Sequence, residues 1–220
     1  MPDRSRTWSA PMLVLGLVAL VAFGLRSHRA SSTTAPQGRQ VGHVTAEERA
    51  ATFRFDAASA PSDRDLFLLA VGHARPEAQR LIGVIDGLVD VHFASTGQGI
   101  AGTTQGIGTR FALTVNLVVV AQRYGQRGID RTVLHELGHV IDFALVDPAL
   151  HRQLDAGIPQ GYGCEKAMMG GCADTRERFA ESFAKWATRD IGVDLYLGYK
   201  VPPPSDLESW GAPLATVAGG

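Results

Sequence analysis

His135-Glu136-Leu137-Gly138-His139 is the stretch on which the reading of this chain turns. On a helix, residues four apart lie on one face. The imidazoles of His135 and His139 would then grip one metal ion from the same side, with the Glu136 carboxylate beside it as a general base. The surroundings favour a helix. Asp130 is the expected N-cap, after Gly128-Ile129. Leu134, Leu137, Val140, Ile141, Ala144 and Leu145 then recur at helical spacing. Asp147-Pro148 closes the run, because proline disfavours a helical residue before it. The competing reading, two ordinary histidines on a buried helix, loses weight because motif and context agree.

A zinc site in an enzyme needs a third protein ligand and an open position for water. The extended pattern with a third histidine on the same helix is absent: Asp142 stands where its glycine would be and Leu145 where its last histidine would be. The ligand is therefore expected in the later stretch Asp174–Trp186. There Phe179, Phe183 and Trp186 recur as one apolar stripe of a helix. Glu177 and Glu181 are four apart and share a face at the edge of that stripe. Glu177 is the expected third ligand, with Glu181 and Asp174 as alternatives. Glu181, a turn later, would accept the free N–H of a zinc-bound imidazole and fix its orientation. Taken alone, such a glutamate pair reads as the solvated face of an amphipathic helix; the HExxH run changes that reading.

HELGHVID (135–142) followed by ERFAESF (177–183) resembles the anthrax lethal factor metalloprotease domain and its relatives, the Pro-Pro endopeptidases. The resemblance runs from Asp130 to about Trp186. It implies a zincin-like α+β fold with a small mixed or antiparallel sheet, an HExxH helix and a second ligand-bearing helix. It also implies Zn2+ held by His135, His139 and Glu177, Glu136 as the catalytic base, and Glu181 and Asp142 behind the ligands. The family places a catalytic tyrosine seven residues before the ligand glutamate, a position held here by Gly170. Tyr162 is the nearest upstream tyrosine and the expected stand-in.

The rest of the chain bounds these expectations. It has 220 residues and a formal net charge of −1, with no basic patch of the kind that nucleic acid requires. Arg4 and Arg6 precede an apolar run, Met12–Leu25, so residues 1–26 read as a signal peptide or an uncleaved signal anchor. Residues 27–44 read as a flexible linker and 45–220 as the metallopeptidase domain. Both export readings put that domain outside the cytoplasm, either secreted or anchored to a membrane. Cys164 and Cys172 agree with this as a disulfide, their spacing being too wide for a zinc knuckle.

Elsewhere, Thr45–Glu48 resembles a capping box, 65–72 is apolar and ambiguous, and Pro76–Leu88 reads as a helix. Val89–Phe93 reads as a strand or the end of that helix, Gly97–Gly108 as a turn or loop, and Phe111–Val120 as the strongest strand. An edge strand between 89 and 120 is expected to run beside the cleft and pair with an extended substrate. His151 falls in a short helix after the HExxH helix, while His43, His73 and His92 lack partner spacing. The segment after Ile191 is rich in proline and glycine, and Ala212–Gly220 is expected to fray. Together these point to an exported, monomeric zinc endopeptidase acting on a peptide or protein. A non-catalytic extracytoplasmic binding domain on the same scaffold is the alternative, and self-processing of the linker a third. The intact Glu136 favours catalysis, since a structural site needs no base beside its metal.

Overall fold

The computed structural model describes residues 52–94, 100–159, 173–192, 195 and 199–217. Residues 1–26, the linker, the Thr45–Glu48 box, Tyr162, Cys164 and Cys172 lie outside the described residues. Among the described residues, no helix is long and apolar enough to cross a membrane.

The described chain is α+β, with a mixed sheet of four strands and six α-helices. In chain order they are β1 (Arg54–Phe55), α1 (Pro61–His73), α2 (Pro76–Ile85), β2 (Val89–Phe93), β3 (Gly102–Ile107) and β4 (Arg110–Val115), then α3 (Leu117–Leu145), α4 (Pro148–Ala156), α5 (Thr175–Thr188) and α6 (Leu207–Val217). The strand order is β1-β2-β4-β3, with β3 antiparallel to β4 and the other pairs parallel.

Register decides what faces the helices. Val91 lies opposite Leu113 and Phe93 opposite Val115, so the fully buried Val89, Val91, Leu113 and Val115 share one face of the sheet. On β3, Gly102 and Thr104 lie opposite Val115 and Leu113, and so they point the same way. The other face carries Asp90, which receives two 2.7 Å hydrogen bonds from Arg110.

α3 is longer than the motif suggests. It begins at Leu117, where the side chain of Asn116 accepts from the Val119 N–H at 3.3 Å. Phe111–Val120 is therefore not one strand: β4 stops at Val115 and the helix has begun by Leu117. At Gly125 the backbone turns to φ 62°, ψ −157°, a conformation that favours glycine, and the helix resumes at once. Asp130 is consequently inside the helix rather than its cap. Its carboxylate meets His73 Nδ1 at 2.9 Å and Gln126 Nε2 at 2.7 Å. The end of α3 is as expected: Asp147 accepts from the backbone N–H groups of Ala149 and Leu150, opening α4 behind Pro148.

Further differences have simple causes. The ambiguous 65–72 stretch is helical, with Phe67, Ala70 and Val71 buried. Much of Gly97–Gly108 is a strand, because β3 completes its hairpin with β4 across Gly108-Thr109. Ala212–Val217 does not fray: Trp210 and Leu214, four apart, anchor α6 in the core, and Trp210 Nε1 donates to the Leu154 carbonyl at 3.0 Å.

Candidate metal centre

His135 and His139 project from one face of α3, with ring centroids 4.9 Å apart. α5 packs against this helix. Its apolar stripe, Phe179, Phe183 and Trp186, is buried, which turns the Glu177–Glu181 edge toward the histidines. Asp174 caps α5, its Oδ1 accepting from the Arg176 and Glu177 N–H groups at 2.9 Å each. Asp174 is thus engaged at the helix end, and Glu177 is the carboxylate that reaches both rings. Glu177 Oε2 lies 3.2 Å from His135 Nε2, and its Oε1 lies 3.5 Å from His139 Nε2.

These separations test the donor set for a metal. A tetrahedral ion with bonds of about 2.0–2.1 Å holds its donors about 3.3 Å apart. His135, His139 and Glu177 each offer one donor atom, all within 4.8 Å of one another. Two neutral imidazoles and one carboxylate are also a ligand set that zinc accepts in hydrolytic sites. The residues fit such an ion.

His135 Nδ1 meets Glu181 Oε2 at 3.2 Å, which leaves Nε2 for the cleft. Glu181 Oε1 in turn takes a 2.6 Å hydrogen bond from Arg131 and lies 3.1 Å from Lys185 Nζ. All three charged side chains are buried. Burial alone would raise the Glu181 pKa, but Arg131, Lys185 and His135 outweigh it and hold the carboxyl below its usual range. Burial likewise opposes a charge on His135, yet the carboxylates of Glu177 and Glu181 raise its pKa to about 10. Glu177 is held low despite burial by its contacts with His135 and His139. The carboxylates around His135 thus favour positive charge at this point.

Glu136 stands beside this set without belonging to it. Its Oε2 lies 2.8 Å from the Thr104 hydroxyl, which also approaches the Glu136 carbonyl oxygen at 3.1 Å. Burial pushes the Glu136 pKa up. Gly102, two residues before Thr104 on the same face of β3, leaves its bare backbone against the other oxygen. A Cβ there would fall 2.5 Å from Glu136 Oε1.

The donors open onto a cleft of about 420 Å3, walled on one side by Ile100–Gln105 and on the other by His139, Phe143, Arg176 and Tyr199. β3, an edge strand of the sheet, is the strand that borders it. Asp142 does not line the cleft; it is buried and accepts from His151 Nδ1 at 2.6 Å. That contact engages His151 away from the ligand set. Thr104, Gly102, Arg131, Lys185 and Tyr199 went unnoticed in the sequence. For Thr104 and Gly102 the only available signal was period-two spacing in a segment read as a loop. Tyr199 carried no local signal at all. Comparison of the chain with known protein families, curated proteins and solved structures finds no match.

Proposed function

We propose that the chain is an exported zinc-dependent endopeptidase on a zincin-like fold. One observation carries this reading: His135, His139 and Glu177 converge on a single point in an open cleft, with the Glu136 carboxylate held beside that point by another element. A structural metal site has no use for such a carboxylate.

His135, His139 and Glu177 would hold the ion. Bound there, zinc supplies Lewis acidity and makes water a nucleophile near neutral pH. Thr104 keeps Glu136 Oε2 engaged, so Oε1 is the oxygen that takes the proton as water attacks the scissile carbonyl. Glu136 would then return the proton to the leaving amine nitrogen. The bare face of Gly102 lets the Glu136 carboxylate pack closely against β3.

Tyr199 offers a hydroxyl to the oxyanion. Burial and the nearby charges of Glu177 and Asp174 raise its pKa, so it remains a donor. Tyr162, first expected in this role, lies outside the described residues. The outer edge of β3, unpaired among the described residues, suits an extended substrate backbone, with Gly102–Gln105 along the cleft. The N-terminal apolar run supports export, by cleavage or by anchoring.

The test is cleavage of a peptide library by the zinc-loaded chain and by Glu136→Gln. The account expects the variant to keep zinc and lose turnover. Equal turnover would remove Glu136 from the mechanism. Stoichiometric zinc with no cleavage by either protein would favour a binding domain instead.

A further inference from the structure

Among the described residues, the cleft carries four carboxylates, Glu136, Glu177, Glu181 and Asp174, and one guanidinium, that of Arg176. The carboxylates are engaged: Glu177 by the histidines, Glu136 by Thr104, Glu181 by Arg131 and His135, Asp174 by the backbone it caps. Arg176 has no carboxylate partner among the described residues, although Asp174 and Glu177 are close in sequence. The helix explains this, because side chains one or two positions apart do not face each other. Instead the Arg176 guanidinium lies over the Phe143 ring, 4.1 Å from its centroid. Phe143 is itself stacked on Phe111 of β4, with centroids 6.1 Å apart.

Arg176 is exposed and lines the cleft, and its guanidinium lies over an aromatic ring that is itself stacked on a second one. A guanidinium over a ring can keep N–H donors for a planar anion. An edge-on guanidinium recognises a carboxylate with two parallel hydrogen bonds. The carboxylates of the cleft are occupied with the histidines, Thr104, Arg131 and the α5 backbone, whereas Arg176 is a lining cation without a carboxylate partner among the described residues, and so a position where an acidic side chain of an extended peptide would be held.

We propose that Arg176, seated on Phe143, forms a specificity subsite for an acidic side chain of the peptide substrate. This rests on the endopeptidase reading and names its substrate class: peptides with Glu or Asp close to the scissile bond.

The experiment uses the zinc-loaded full chain and paired fluorogenic peptide pools. The pools differ only in Glu or Gln at one fixed position, scanned through the sites flanking the cleaved bond. At one position the Glu pool should be cleaved with kcat/KM higher by about tenfold to a hundredfold, the range of a charge-assisted hydrogen bond. Arg176→Ala should collapse that ratio toward one, and Arg176→Glu should favour a Lys pool over the Glu pool. In parallel, Glu136→Gln measures binding of the same labelled peptides by fluorescence anisotropy, alone and combined with Arg176→Glu. Binding selective for Glu and dependent on Arg176, without cleavage by the parent chain, would sink the peptidase reading and keep the subsite. Cleavage with the same Glu-to-Gln ratio in the parent and Arg176→Glu proteins would keep the peptidase and overturn the subsite. Preference for a free C-terminal carboxylate, lost on amidation, would also overturn it.

Discussion

Gly102→Ala perturbs the proposed base directly while leaving the proposed ligands in place. The added methyl would sit 2.5 Å from Glu136 Oε1, 2.7 Å from its Cγ and 2.8 Å from its Cδ. Ordinary contact begins near 3.4 Å, so the carboxylate must retreat by about 0.9 Å or the strand must lift by as much. Thr104, on the same face of β3, resists both movements, because its hydroxyl ties the strand to Glu136 Oε2. A displacement of about 1 Å at a catalytic group costs about a hundredfold in rate, or about 2.7 kcal/mol of transition-state stabilisation. The loss should fall on kcat, since Glu136 is the proposed base and no part of the proposed ligand set. Zinc content should stay at the parent level. The assay is steady-state cleavage of the best library peptide, with metal content measured on the same samples. Turnover within twofold of the parent would refute the argument that β3 positions the base. Equal loss of zinc and activity would refute the argument that Glu136 is set apart from the ligands.

Other expectations follow from the groups behind the ligands. Glu181→Gln removes the carboxylate that orients His135 and should weaken zinc retention by about tenfold to a hundredfold in a chelator competition; unchanged affinity would deny Glu181 that role. Arg131→Met leaves Glu181 buried with only Lys185 and His135 as cationic partners and should cost about 3 kcal/mol in urea unfolding, the lower end for breaking a buried pair; a loss below about 1 kcal/mol would contradict it. Metal affinity should rise with pH. Without a metal His135 keeps its proton up to about pH 10, so binding must displace that proton, and apparent affinity should increase about tenfold per pH unit below this value. A flat profile between pH 6 and 8 would show that no proton leaves.

The chemistry was more legible in the sequence than its support. HExxH and the ERFAESF stretch name side chains that meet because each helix carries its own periodicity, and a helix face can be read locally. Their convergence in the structure needed only that α3 and α5 bury their apolar sides together. Thr104 and Gly102 could not be found this way. They face Glu136 because β3 pairs with β4 in one particular register, and that pairing is tertiary information. The boundary of α3 was misplaced for a related reason. Leu117–Val120 is as apolar and branched as any strand, and the local evidence against a strand was Asn116, a good helix cap that a hydrophobic window overlooks. Asp130 invited the opposite error, because a capping residue in mid-helix looks like a start. Arg131 and Lys185 lie far apart in the sequence and come together only around Glu181.

We propose that His135, His139 and Glu177 hold zinc and that Glu136 acts beside it. The decisive measurement is metal content and peptide cleavage in the parent chain, Glu177→Ala and Glu136→Gln, side by side. One zinc per chain is expected in the parent and in Glu136→Gln, little in Glu177→Ala, and cleavage by the parent alone. No zinc in the parent, or parent-like cleavage by Glu136→Gln, would contradict it.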